Sequence, residues 1–338
     1  MTVPHFVHRI DPVLLEAFGI KLYFYGLAYA LGFLGVYAWL RWRQERLCWS
    51  TGEILTFTIL FAACALVFGR AFDVLVYEWK YYSSHLSQLP VLWGGGIASH
   101  GVILGAIVGT WLFSRLRNKD FLSIVDDMVV PAACFLGLGR IGNFINGQIY
   151  GHITNAWWAV KFPGVEGFRH PVALYESLKN FMIIPILLHV RKKARPGRGV
   201  MFADFFFWYG FLRLFTDCFR EYGTEQLGIG TGQYFNLLMV LIGLALIIRY
   251  SRPALSPAAV RQKHGYAYRP PERRERRSRS GWLDTKLILN MERLILITIL
   301  ILSLAIPSSW TLHAIHNRWA SGNSEQTDTA RMNSSYRY

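Results

Sequence analysis

Charge and cysteine are both scarce in this chain. Of its 338 residues only 17% are charged, too few for the solvated surface of an ordinary soluble domain. Acidic residues are scarcer still, 21 against 36 Lys and Arg, which leaves a net charge of +15. Cysteine occurs four times, at Cys48, Cys64, Cys134 and Cys218, with no C-x-x-C pair among them. That pattern argues against a disulfide or zinc framework, and the thiols read as packing residues. No cluster of residues has metal-ligand spacing, so neither a metal nor a cofactor is expected. What is abundant is apolar: 53% hydrophobic residues, 15% aromatic, and a mean hydropathy of +0.26. This is membrane-protein composition. The Lys and Arg excess then reads as the basic loops of such a protein, with no nucleic-acid partner expected.

Apolar runs of about 17–25 residues are long enough to span a bilayer. They fall near 22–40, 54–76, 97–114, 122–146, 172–190, 200–217, 232–249 and 285–307. The predicted fold is an all-α membrane protein with a seven-transmembrane-helix core, 1–249, and one extra C-terminal transmembrane helix, 285–307. Between them, 250–284 is Pro- and Arg-rich and lacks apolar periodicity, so it reads as a disordered basic linker in the cytoplasm. A polar tail, 308–338, follows. The first span reads as a retained anchor, since no small-residue cleavage site accompanies it.

Orientation follows from the basic loops. Arg41, Arg43 and Arg46 follow the first span, Arg115, Arg117 and Lys119 the third, and Arg191, Lys192, Lys193, Arg195 and Arg198 the fifth. The alternate loops are poor in Lys and Arg. The positive-inside rule places the N-terminus and the polar tail outside. The intramembrane polar groups then gather in the outer half: Tyr25-Gly26, Arg70 with Asp73, Ser99-His100-Gly101, Arg140 with Asn143, His170, Tyr175 and Glu176, and Arg213 with Asp217 and Arg220. Ionisable groups at such depth are costly and mark function. Arg140 and Asn143 are three residues apart and share a helix face, as do Arg213, Asp217 and Arg220 at four- and three-residue steps. Two guanidiniums facing one cavity suit a phosphate, hence a phospholipid headgroup. Plainer readings hold for several residues. Arg70 with Asp73 is most simply an intrahelical ion pair, Trp157-Trp158 an interfacial belt, and Gly101, Gly105 and Gly109 a close-packing stripe. Arg140 has no acidic residue within one turn to neutralise it.

The densest motif is Gly139-Arg140-Ile141-Gly142-Asn143-Phe144-Ile145-Asn146-Gly147, closed by Gly151. With Tyr25-Gly26, Gly69-Arg70, His100-Gly101, Arg169-His170-Pro171, Leu174-Tyr175-Glu176, Arg213 and Arg220 in the same order, it resembles the prolipoprotein diacylglyceryl transferases of bacterial inner membranes, over about residues 5–250. The resemblance implies a multi-pass enzyme of the bacterial cell inner membrane with no cofactor. Its partners would be phosphatidylglycerol and prolipoprotein signal peptides bearing a lipobox cysteine, and its product a thioether with release of glycerol phosphate. By the same resemblance, His100, Arg140 and Arg213 would be catalytic. Tyr25, Arg140, Asn143, Asn146, Gly151, Arg213, Asp217 and Arg220 would bind the lipid. Arg70, Gly101, His170, Tyr175, Glu176 and Gln148 would support them. Gln148 stands where the family usually has Glu, Asp217 where a Glu is usual, and Gly101-Val102 where two glycines are typical. A specialised or impaired paralogue that binds phospholipid and an unrelated lipid-handling membrane protein are the alternative expectations. A transporter would carry polar residues through both leaflets and an internal repeat, neither of which is present.

Overall fold

A computed structural model describes residues 5–17, 20–77, 79–83, 86, 97–193, 199–221, 225–226, 229–251 and 282–307. The Gly94-Gly95-Gly96 turn, most of the basic linker and the polar tail lie outside the described residues.

The structure is mostly helical. Its long helices are α1 (Phe24–Trp42), α3 (Thr51–Phe72, continued by a π-helical turn, Asp73–Tyr77), α5 (Ser99–Arg117), α6 (Phe121–Ile145), α7 (Val172–Lys193), α8 (Val200–Asp217), α9 (Thr231–Ser251) and α10 (Trp282–Leu304). Two short helices, α2 (Gln44–Leu47) and α4 (Trp79–Tyr82), follow α1 and the π-helical turn. Three stretches, Thr51–Val76, Phe121–Ile145 and Val172–Lys192, are helices long and apolar enough to cross a membrane.

The all-α expectation needs one correction. The stretches joining helices contain short paired strands: β1 (Phe6–Val7) runs parallel to β4 (Val160–Lys161), β2 (Val13–Ala17) and β3 (Ile20–Tyr23) form a hairpin into α1, and β5 (Glu225–Gln226) pairs with β6 (Ile229–Gly230). Such short pairs satisfy backbone groups where no helix does; the two-residue strands leave no periodicity to read in a sequence, whereas β2 and β3, of five and four residues, were simply not expected.

Local signals fix several helix ends. Ser50 and Glu53 form a reciprocal capping box at the start of α3, with Glu53 N donating to Ser50 Oγ at 3.1 Å and Ser50 N to Glu53 Oε2 at 2.8 Å. Asp120 caps α6 by accepting from Ser123 N at 2.9 Å. The α8 start is different. Its amides at Gly199 and Phe202 donate to the Asp126 carboxylate at 2.8 and 2.9 Å, so α6 supplies the cap of α8. Next to it, Asp127 accepts from Arg43 at 2.8 Å and Arg191 at 2.9 Å, while Trp39 Nε1 donates to its carbonyl at 2.8 Å. This clamp ties α1, α6, α7 and α8 at the end of the bundle where α6 begins. Two adjacent aspartates in an apolar helix are the signal the sequence holds for it.

Glycines set the closest helix contacts. The stripe Gly101, Gly105 and Gly109 on α5 meets the α3 backbone: a Cβ on Gly101 would collide with the Phe68 carbonyl, one on Gly105 with that of Cys64, and one on Gly109 would come within 2.9 Å of that of Leu60. The small-residue stripe thus packs as its spacing predicts. Gly105→Leu forces α3 and α5 apart and should cost about 1–3 kcal/mol, visible as a lower unfolding midpoint in detergent. Asp127→Asn removes the carboxylate that two largely covered guanidiniums share. It should cost about 3–5 kcal/mol, and Asp127→Glu, which keeps the charge, should cost less in the same assay.

Candidate functional site

The opposite end of the bundle holds the candidate site. α6 ends in the signature. Asn146 N closes on the Gly142 carbonyl at 3.0 Å, and Gly147 N on that of Phe144 at 2.9 Å. Gly147 then takes φ +68° and Ile149 φ +58°, a left-handed turn that Gly147 adopts without a side-chain clash. The turn folds Gln148 back, so that its N donates to the Asn143 carbonyl at 2.9 Å and its buried Oε1 accepts from Asn143 Nδ2 at 2.9 Å. Gly151 comes so close to the chain after α8 that a Cβ would collide with the Phe219 carbonyl, and it bridges in antiparallel fashion to Arg220. That contact carries Arg220 to the signature.

At the centre is Glu176 on α7, with no exposed side-chain surface. Arg140 Nε lies 2.6 Å from its Oε2. Arg213 Nη1 pairs with the same oxygen, and Arg220 Nη1 lies 3.9 Å from Oε1. Arg213 also turns its Nε to Asp217 at 3.1 Å, and Asn236 on α9 donates to the second Asp217 oxygen at 2.5 Å. Arg140 Nη1 makes a long 3.5 Å bond to Asn143 Oδ1. One turn below Glu176 along α7, buried Lys179 holds Nζ 3.5 Å from the centroid of the Tyr209 ring.

No acidic residue lies within one turn of Arg140 on its own helix, and its anion comes instead from another helix, where sequence spacing cannot reach. The two arginine faces do converge, as expected, and they meet on Glu176. Among the described residues, three guanidiniums and the Lys179 ammonium here face two carboxylates. Arg140 and Arg220 keep 24% and 29% of their side-chain surface exposed, so the excess is accessible. The Asn146 side-chain oxygen, buried, has no hydrogen-bond partner among the described residues. Asn236 and Lys179 are the members that sequence reasoning missed; each is a polar residue inside an apolar span, which was the available signal.

Other expected residues sit around this centre. Tyr25 packs against the α6 signature, and a Cβ on Gly142 would lie 3.3 Å from its ring. Arg70 forms a separate group: it pairs with Asp73 at 3.6 Å, donates to Tyr82 OH at 3.1 Å and stacks 4.8 Å from that ring's centroid, in line with the ion-pair reading. Gly101 is buried against α3. His100 lies in the first turn of α5, and its side chain is outside the described residues. His170 Nδ1 is 2.9 Å from Tyr175 OH, which accepts from Trp158 Nε1 at 2.6 Å. Burial, helped by the neighbouring His152, holds the His170 imidazole below its usual pKa. Trp158 and His170 therefore brace the segment before α7 against Tyr175 on that helix. Arg169 ties the same segment to the signature's end and to the chain after α8, donating to the Glu166 carbonyl at 2.8 Å and the Gly151 carbonyl at 3.1 Å and pairing with Glu221.

Replacing Glu176 by Gln removes the shared anion from three guanidiniums. Loss of one partner from a buried ionic network costs about 3–5 kcal/mol. Glu176→Gln should therefore lower the unfolding midpoint, and added phosphatidylglycerol should recover part of it by supplying a replacement anion.

Comparison with known proteins bears on this arrangement. Residues 12–249 match the family model described as prolipoprotein diacylglyceryl transferase. The chain is 35% identical over 266 residues to the phosphatidylglycerol–prolipoprotein diacylglyceryl transferase of Geobacter sulfurreducens, covering 76% of this chain and 100% of that one. It is 34% identical to the protein of that name from Methylobacillus flagellatus (71% and 96% covered) and 34% identical to that from Finegoldia magna (72% and 97%).

Proposed function

The chain belongs to the prolipoprotein diacylglyceryl transferase family, and we propose that it moves the diacylglyceryl group of phosphatidylglycerol onto the lipobox cysteine of prolipoproteins. The observation that carries the reading beyond family membership is the excess positive charge around Glu176. A phosphodiester brings the negative charge that such a cation-rich cluster takes up. Planar guanidiniums take up phosphate oxygens in bidentate fashion.

In the reaction, the cysteine sulfur attacks the glyceryl carbon that bears the phosphate oxygen. The carbon–sulfur bond forms as the carbon–oxygen bond breaks, and glycerol phosphate departs with the electron pair. Negative charge grows on the departing phosphate, where Arg140, Arg213 and Arg220 are already oriented by Glu176 and Asp217. Cations held in place before the reaction stabilise that charge without reorganising. Asn143 and the unpartnered Asn146 oxygen face the glycerol hydroxyls of the headgroup, Tyr25 and Gly151 shape the wall, and His100 takes the thiol proton. Gln148 fixes Asn143 as a neutral acceptor, a role that needs no carboxylate.

The membrane arrangement belongs to the same reading. Residues 1–249 form a seven-span core, 250–284 a basic cytoplasmic linker, 285–307 an eighth span and 308–338 a periplasmic tail. The basic loops put the N-terminus outside, and the arginine cluster then opens to the outer leaflet of the inner membrane, where the cysteine of a translocated prolipoprotein emerges.

The chain expressed in bacteria depleted of their own transferase should add the diacylglyceryl mass to a reporter lipoprotein. Arg140→Ala and Arg213→Ala should each lower the rate by about 100- to 1000-fold, as for loss of a preorganised charge donor. A folded wild-type chain that gave no mass shift, with or without Gln148→Glu, would falsify the transferase reading in favour of lipid binding without turnover.

A further inference from the structure

Helix α10 lies beyond the family match, which ends at residue 249, yet it is seated firmly on the core. Its first part lies on the start of α3, where Thr56 Oγ1 donates to Glu292 Oε1 at 2.7 Å and Gly52 faces Leu289. Its last part crosses the start of α1. There Gly26 makes room for the Ser303 and Leu304 carbonyls, and a Cβ at Gly26 would collide with them. Ser303 and Ile306 have no exposed surface. Ile306, Ile299 and Leu300 join the apolar cluster that contains Tyr29, Phe33, Ala62 and Ala65. α10 therefore runs along α3 in the same direction, opposite to α1, and fills the groove between them. It finishes beside Tyr25, which packs on the signature at Gly142.

The sequence of this segment carries a second, independent signal. Met291-Glu292-Arg293 leads into Leu294 to Ile306, an apolar run broken only by Thr298 and Ser303, and Pro307-Ser308-Ser309 follow. Glu292 and Arg293 cancel in charge, so the lead is not basic, but an apolar stretch of this length followed by small residues matches the apolar and terminal parts of a secretory signal peptide. A prolipoprotein must place its own signal peptide with the same polarity, its basic end inside and its reacting end at the outer face. No cysteine follows Cys218 in the sequence, so this segment cannot accept the diacylglyceryl group.

We propose that the groove between α1 and α3 is the seat of the substrate's signal-peptide helix, and that residues 291–307 occupy it as an unreactive stand-in that the substrate displaces. The inference rests on the transferase reading and its orientation. The seat suits its occupant. Gly26, Ala62 and Ala65 present a smooth surface that reads shape and apolarity, as a site for many different signal peptides requires. A tethered helix is present at high effective concentration, so it competes with free substrate and raises the apparent KM without touching the chemical step.

The test uses the full chain in phosphatidylglycerol vesicles with a synthetic lipobox peptide carrying photo-leucine in its apolar stretch. Leu300→Ala with Ile306→Ala loosens α10. Gly52→Cys with Leu289→Cys, in a Cys48→Ser background, locks it when oxidised, the bond being verified by mass. Loosening should lower the peptide KM by about tenfold with kcat unchanged, as expected when the free-groove fraction rises, and crosslinks should map to α1 and α3. Locking should abolish both crosslinking and transfer, and reductant should restore them. Unaltered transfer in the locked chain, crosslinks confined to other helices, or a loss of kcat at constant KM on loosening would each overturn the proposal. Thioether formation with crosslinks elsewhere would sink the docking site alone. Reductant-sensitive crosslinks to α1 and α3 without any thioether would leave the docking site standing and sink the transferase reading.

Discussion

Glu176 is a carboxylate with no solvent around it, and its place in the bundle is possible only because guanidiniums surround it. Arg140 from α6, Arg213 from α8 and Arg220 from the turn after α8 converge on its two oxygens. Taking these charges out of water costs several kcal/mol per ion, a cost offset only when the geometry is good and the charges are shared. The arrangement therefore dictates much else. α7 must bring Glu176 to the level of the signature. Gly151 must lack a side chain so that the chain after α8 can approach. Asn236 must complete Asp217 from α9.

The two ends of the bundle solve the same electrostatic problem with different sums. Where α6 begins, Asp126 and Asp127 face Arg43 and Arg191, and one aspartate spends its remaining capacity capping α8. That end is balanced and acts as a clamp. Where α6 ends, the cations outnumber the carboxylates among the described residues. On the proposed reading a lipid phosphate supplies the missing anion there, whereas the balanced end has no such need. The difference explains why one group of buried charges reads as structural and the other as functional, although both consist of Arg with Asp or Glu.

Between the ends, packing is set by small residues. The α5 glycines let two backbones touch along α3, and Gly26 does the same for α10 on α1. In a bilayer there is little hydrophobic gain from bringing two apolar helices together, so close backbone approach and dispersion carry the association. The same glycine that belongs to the site motif thus also receives the helix that the family match does not include, which places the added segment at the site's edge.

The long helices were legible in the residues as apolar runs bounded by polar positions, unlike the four-residue α2 and α4, and local caps such as Ser50 with Glu53 are written in neighbouring positions. The sequence by itself determined the identity of the signature and the stripe on α5, because helical spacing puts those residues on one face. The resemblance carried the family. Which charges meet depends on how the helices pack. Arg140 looked unneutralised because its partner Glu176 lies on a different helix, and Asp126 and Asp127 looked unremarkable because their partners come from α1, α7 and the start of α8. The two-residue strands between helices were invisible because two residues carry no period, and the longer hairpin before α1, Val13–Ala17 with Ile20–Tyr23, was not expected from the residues either. Periodicity reports on one element at a time, whereas an ion pair between helices depends on where the whole bundle brings them.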